Sequence, residues 1–208
     1  MYNELQKRYP VLAACGEEIR AAVDTLIACY EQGGKVLLCG NGGNAADCDH
    51  ITGELMKGFL KKRPLSAAQR AAMKAISPTL NDTLLDKLQI GLPAISLPTL
   101  PALNTALCND VDATLIFAQS VLALAKGGDV LIALSTSGNA ENVAAAVAVA
   151  KALGVTVIGM TGKDGGRLAA TADIAIRVPE RETFKVQELH LPVYHYICAA
   201  VEEHFFKA

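Results

Sequence analysis

A chain of 208 residues with 19 Lys and Arg against 21 Asp and Glu carries a formal charge of −2, which excludes a general nucleic-acid surface. Apolar residues make up 51% and charged residues 19%, which excludes a disordered chain and suits one compact α/β domain spanning 1–208. Six cysteines at 15, 29, 39, 48, 108 and 198 form no CxxC pair, so they read as reduced, buried thiols of a cytoplasmic protein.

The N-terminal MYNELQKRYP is not followed by a signal-type apolar segment, and no run reaches membrane-spanning length. Leu12, Ile19, Val23, Leu26 and Ile27 space out a helix over about 11–31, which Gly33-Gly34 ends. KVLLC at 35–39 reads as a strand buried on both faces. It opens into glycines at 40, 42 and 43, and AADCDHITGELMKGF is the next helix. The basic cluster KGFLKKRP at 57–64 reads as a solvated helix end or loop, with an anion or partner site as the alternative.

The stretch 61–90 is broken by Pro64 and Pro78 and reads as an excursion between core elements, with SAAQRAAMKAI as a short helix. PAISL at 93–97 is a short strand, and LNTALCND leads to a longer helix at about 112–126. DVLIALS (129–135) and VTVIGM (155–160) are strands that each enter a turn and a helix, and DIAIRVP precedes the C-terminal helix. Five apolar runs alternating with helices predict an open parallel sheet covered by helices. GNGGNAA and STSGNAEN are similar turns at two strand ends, and ligands of such sheets sit at the carboxyl ends of strands, so both turns should face one site.

Gly40, Gly42 and Ala45 satisfy G-x-G-x-x-A, but the acidic residue a dinucleotide site needs about 20 positions on is replaced by Leu60-Lys61-Lys62-Arg63. No G-x-x-x-x-G-K-[ST] is present either. Ser135, Thr136 and Ser137 place three hydroxyls before a helix start, which suits a phosphate. An ordinary hydroxyl N-cap uses the same N–H groups, and the pattern leaves both readings open.

His50 and Glu54 lie on one helix face with Cβ atoms about 5–6 Å apart, within reach of one ion or one substrate. By itself such a pair is more often an ordinary surface contact. The last helix holds His190, His195 and His204. His204 reads as solvated. His190 and His195 do not share a face, whereas Gln187 and His195, about 12 Å apart along the axis, can approach one ligand. Pro192 between them withholds an N–H and is a possible kink.

GNGGNAADCDHITGEL, STSGN and VQELHLPVYH together resemble the sugar isomerase (SIS) domain, and within it the phosphoheptose isomerases, over almost the whole chain. The resemblance implies a Rossmann-like three-layer sandwich with a five-stranded parallel sheet. It also implies a homotetramer with active sites between chains, acting on a phosphorylated sugar. It implies a zinc ion held by His50, Glu54, Gln187 and His195, with Glu54 and His195 as the proton-transfer pair. Substrate contacts carried over are Asn41, Gly42, Gly43 and Asn44 in the first turn, Ser135, Thr136, Ser137 and Asn139 in the second, and Thr183 and Gln187 before and on the last helix.

The chain departs from the pattern where Asn44 replaces a serine, Ala140 ends the serine turn, and Leu100 takes the place of an aspartate. The 61–90 segment is also longer than usual. These departures bear on the sugar more than on the chemistry. An aldose–ketose isomerisation needs one base and one acid at adjacent carbons and stabilisation of an enediolate, which Glu54, His195 and zinc would supply. The rival expectation is a non-enzymatic SIS protein, either a sugar-phosphate sensor or a binding factor similar to one that assists the replication initiator.

Overall fold

The apolar runs of the sequence become the strands of one parallel sheet in the computed structural model, which describes residues 1–77 and 79–206. The strands are β1 (Val36–Cys39), β2 (Ala94–Ser96), β3 (Val130–Leu134), β4 (Thr156–Thr161) and β5 (Ile174–Arg177), in the order β2-β1-β3-β4-β5. All pairings are parallel, with Leu38 opposite Ser96 and Ile132, and Leu134 opposite Met160. Strands covered on both faces need apolar residues at consecutive positions, and β1 and β3 are buried at every residue.

Side chains alternate across the sheet. Val36, Leu38 and Ile132 pack on one face with α2 (Gly16–Glu31), α3 (Gly43–Met56) and α10 (Thr183–Phe205). Leu37, Leu131 and Val157 face the other way, against α7 (Ile116–Leu124), α8 (Glu141–Ala152) and the short α9 (Gly166–Thr171). From β1 the chain runs outward to β2 and returns past β1 to β3. The winding therefore reverses between β1 and β3, where the carboxyl ends of neighbouring strands splay and leave a crevice.

Several boundaries differ from the sequence reading. The N-terminal helix starts later: α1 (Tyr2–Arg8) precedes it, then Pro10–Cys15 is a 3₁₀ segment, and α2 begins at Gly16. Pro10 accounts for this by opening the 3₁₀ turn at its first position. The helix expected at 112–126 is a 3₁₀ turn, Ala113–Leu115, followed by α7, with α6 (Pro101–Asp110) before it. Asp112 accepts from the Thr114 N–H and starts that turn. Pro192 lies buried inside α10, which runs on through it. Pro78, one of the residues expected to break the 61–90 segment, lies outside the described residues. Five cysteines are buried, but Cys108 is exposed. Burial pushes the Cys39 and Cys198 thiols up to about 12, so they stay protonated.

The segment after α3 holds the clearest correction. Its helix α4 (Ala67–Ile76) has a capping box between Ser66 and Gln69 but buries none of its residues, and α5 (Asp82–Leu85) adds only Leu85 to the interior. Before it, the basic cluster is not a uniformly solvated loop, because Arg63 is fully buried. Its Nε donates to Glu202 at 2.9 Å, and its other nitrogens donate to the carbonyls of Leu55 (2.6 Å) and Glu54 (3.1 Å). Glu202 also accepts from the N–H groups of Phe59, Leu60 and Lys61. Burial alone would raise its pKa; these backbone donors and Arg63 outweigh burial and hold it below the usual range. A sequence pattern shows the charge of Arg63 but not the carboxylate 139 positions away that lets it be buried.

Candidate active site

Two turns face each other across the crevice at the carboxyl ends of β1 and β3. Asn41 and Asn142 exchange amide hydrogen bonds at 2.8 and 2.9 Å, which ties the first turn to the start of α8. Between the turns lies a cavity of about 300 Å³. Asn41, Gly42, Gly43 and Asn44 line it from the first turn, and Ser135, Thr136 and Ser137 from the second. Thr183 and Gln187 close it from α10.

Backbone conformation builds this cavity. Gly138 has φ +69°, and a Cβ there would fall 2.0 Å from the Gly165 carbonyl. Gly43 lets α10 approach, since a Cβ would meet the Gln187 amide at 2.5 Å. Neither α3 nor α8 receives a side-chain cap: their N-cap residues are Gly42 and Ala140. The hydroxyl N-cap reading of STSGN therefore does not hold. Ser137 Oγ instead accepts from Asn139 N–H within the turn, at 3.2 Å. Two uncapped helix N-termini aimed at one cavity favour an anion.

The second half of the site is made of side chains on α3 and α10. His50 Nε2 is 3.2 Å from Glu54 Oε1 and 3.5 Å from His195 Nε2. On the other side of the ring, His50 Nδ1 is 3.0 Å from the Tyr194 hydroxyl, which donates to Asp47 Oδ1 at 3.2 Å. Lys57 Nζ donates to Glu54 Oε2 at 3.4 Å. Burial, reinforced by His50, lowers the His195 pKa, with Glu54 opposing. Burial raises that of Asp47, which Tyr194 and His50 oppose. Tyr194 is held far above its ordinary value by burial and then by the charge of Asp47, so it keeps its proton. His190, on another face of α10, is fully buried with Nε2 3.5 Å from the Thr161 carbonyl, and burial lowers its pKa to about 4. The expectation that His190 and His195 point apart is borne out.

SIS domain models match residues 9–90 and 103–198. A phosphoheptose isomerase of Burkholderia pseudomallei is 40% identical over 188 residues, covering 90% of this chain and 82% of that protein. One of Rhodospirillum rubrum is 38% identical, covering 92% and 88%. Among solved structures, a phosphoheptose isomerase from Francisella tularensis superposes with a TM-score of 0.78 at 31% identity, covering 97% of this chain and 93% of that one. The chain belongs to the phosphoheptose isomerase family.

Of the residues expected from the phosphoheptose isomerase pattern, nine line the cavity and three others, His50, Glu54 and His195, gather on the α3–α10 face. Asn139 does neither: its amide is engaged by the Ser137 carbonyl and the Arg167 N–H. Gln187 stands at the turn cavity, 3.5 Å from Asn44 Oδ1, rather than beside the imidazoles. Leu100 packs against the core on the α7–α8 face of the sheet.

The donors expected to hold zinc fit in kind, two imidazoles and a carboxylate. Their spacings of 3.2 and 3.5 Å bracket the edge of about 3.3 Å that zinc–nitrogen bonds of about 2.0–2.1 Å impose on a tetrahedron. Among the described residues, however, no three His, Cys, Asp or Glu side chains close into a ready metal cage. The two edges share His50 and leave the third side open.

Sequence reasoning missed Tyr194, Asn142 and the pairing of Asp49 with Ser96 at 2.5 Å. Lys57 could have been found by its position three residues after Glu54 on one helix. Tyr194 left no such signal, because a tyrosine beside a histidine in an apolar helix is usually core.

Proposed function

We propose that this phosphosugar isomerase binds the phosphate of an open-chain ketose in the cavity between the turns and carries out proton transfer with Glu54 and His195. The observation that carries this reading is the pairing of an anion-suited cavity with an imidazole–carboxylate cluster on the same two helices. Along α3 and α10 the two halves are about 9–12 Å apart, so phosphate and carbonyl can occupy opposite ends of one ligand.

Glu54 removes a proton from the carbon beside the carbonyl, and the electron pair moves into an enediolate. His195, kept toward its neutral form by burial, moves a proton between the two oxygens. Return of the carbon-bound proton to the neighbouring carbon completes the exchange of ketose for aldose. Ser135, Thr136, Ser137 and the N-termini of α3 and α8 orient the phosphate, with Thr183 and Gln187 over it. His50, Glu54 and His195 would hold zinc, and a bound ion would polarise the substrate oxygens, while Gln187, the fourth donor implied by the resemblance, faces the turn cavity instead.

A seven-carbon ketose 7-phosphate of the sedoheptulose type is the first substrate to test. Active sites shared between chains of a cytoplasmic homotetramer belong to the same reading. It is supported by the exposed apolar residues Ile76, Leu84 and Leu88 of the 61–90 segment. In deuterated water, the protein should place solvent deuterium on the carbon beside the carbonyl, and Glu54→Gln and His195→Ala should each abolish the exchange. A folded protein giving no exchange with any C5 to C7 sugar phosphate would overturn the isomerase mechanism. Light scattering at the monomer mass would overturn the tetramer.

A further inference from the structure

The hydrogen bonds behind His50 carry information about its protons. Tyr194 has one hydroxyl hydrogen, which it donates to Asp47 Oδ1 at 3.2 Å. Its oxygen is then free only to accept. The contact between that oxygen and His50 Nδ1, at 3.0 Å, must be made by an N–H on the ring. A neutral imidazole has one N–H, so the other nitrogen, Nε2, carries a lone pair. Nε2 is the nitrogen that faces Glu54 Oε1 and His195 Nε2.

We propose that Tyr194 is a positioning residue, which Asp47 orients so that it fixes His50 as the Nδ1–H tautomer with Nε2 open toward Glu54 and His195. Both partners are themselves constrained. Tyr194 is 2% exposed, and its ring meets the His50 ring edge-on at 5.4 Å between centroids. Asp47 sits one turn before His50 on α3, so helix geometry sets the span that Tyr194 bridges from α10.

The consequence is specific. In the alternative tautomer, Nε2–H would donate to Glu54 at 3.2 Å and occupy the oxygen that the proposed mechanism needs as a base. In the assigned tautomer two lone pairs face each other, so the space between His50 and Glu54 accepts a proton or a cation. His195 can donate its own Nε2–H into the same lone pair at 3.5 Å, which holds its ring against the cluster. The inference deepens the reading of this cluster given above, and its decisive measurement needs neither substrate nor bound metal.

The test is the two-bond hydrogen–nitrogen correlation spectrum of nitrogen-15 histidine-labelled, chelator-treated protein at a pH where the imidazoles are neutral. His50 is assigned by the signals lost in His50→Gln. The expected wild-type pattern is Nδ1–H. Tyr194→Phe keeps the ring and removes the hydroxyl; Asp47→Ala keeps the hydroxyl and frees its hydrogen for Nδ1. Both should convert His50 to Nε2–H, with kcat lowered by about 10–100-fold and KM little changed, as expected for loss of an orienting partner. A purely structural role would lower thermal stability and leave the tautomer alone. A wild-type Nε2–H pattern, or Nδ1–H persisting in either folded variant, overturns the assignment.

Discussion

The two halves of the site are built from different materials. The turn cavity is made by backbone: uncapped helix ends, a glycine at positive φ, and close approach at Gly43. The α3–α10 face is made by side chains that meet only because two helices pack, with His50, Glu54, Asp47, Tyr194 and His195 in one connected set. A backbone-built half tolerates loss of single side chains, since the N–H groups remain. A side-chain-built half fails when one member goes.

The largest contrast should therefore appear in kcat. Glu54→Gln keeps size and hydrogen bonding but removes the proposed base, and kcat should fall by about 10²–10⁴-fold. Steady-state kinetics with a phosphorylated ketose gives the answer, and a drop of less than tenfold would break the contrast at its strongest point.

Arg63→Met tests what holds the side-chain half in place. Removing one partner of a buried ion pair costs about 3–5 kcal/mol. The double variant Arg63→Met, Glu202→Leu also leaves the Phe59, Leu60 and Lys61 N–H groups without their acceptor, so recovery should be incomplete. Urea denaturation would measure both, and a loss below 1 kcal/mol in the single variant would show that the pair contributes little.

A third test uses His190, which belongs to α10 but to neither half of the site. Its pKa is lowered from 6.5 to about 4 in the folded chain, so the unfolded chain binds the extra proton between those values. Stability present at neutral pH is thus lost as pH falls through 6.5, by about 2 kcal/mol between pH 7 and 5. His190→Leu should flatten that slope in thermal melts, and an unchanged slope would assign the acid sensitivity elsewhere. The smallest effect is expected in the turn. Thr136→Val removes one hydroxyl from a cavity that keeps its backbone donors, so KM should rise by about 5–10-fold, the equivalent of one hydrogen bond, with kcat nearly unchanged. A large loss of kcat would mean that the turns take part in the chemistry.

The same division explains what the sequence could reveal. Strand runs such as VLIAL and the glycine turn after β1 are local signals, because burial on two faces and positive φ each leave a mark in a few consecutive residues. His50 and Glu54 were readable as a pair because a helix sets their spacing. Their meeting with His195 was not derivable from spacing; only the family resemblance brought α10 to α3. Arg63 shows the limit most clearly. As part of KKRP it looks solvated, and nothing nearby says that Glu202 and two carbonyls accept from it, or that three backbone N–H groups share the same carboxylate. The absence of a hydroxyl cap on α8 was equally hidden, since the three hydroxyls of the turn suit a cap by composition alone.

The Arg63–Glu202 pair also sets a timetable. The chain is made from its N-terminus, and the two residues are separated by 139 positions. At about 5–20 residues per second, Arg63 is synthesised about 7–28 s before the carboxylate that neutralises it. Throughout that interval the Glu54 and Leu55 carbonyls at the end of α3 have no anchored guanidinium, and the N–H groups of Phe59 to Lys61 have no acceptor. β1 and the first turn can form early, but the carboxylate of the site is secured only after Glu202 on α10 has been made. An incomplete chain released before Glu202 would hold the two turns and lack a fixed Glu54, so early termination would yield a protein shaped for the phosphate but unfit to move the proton.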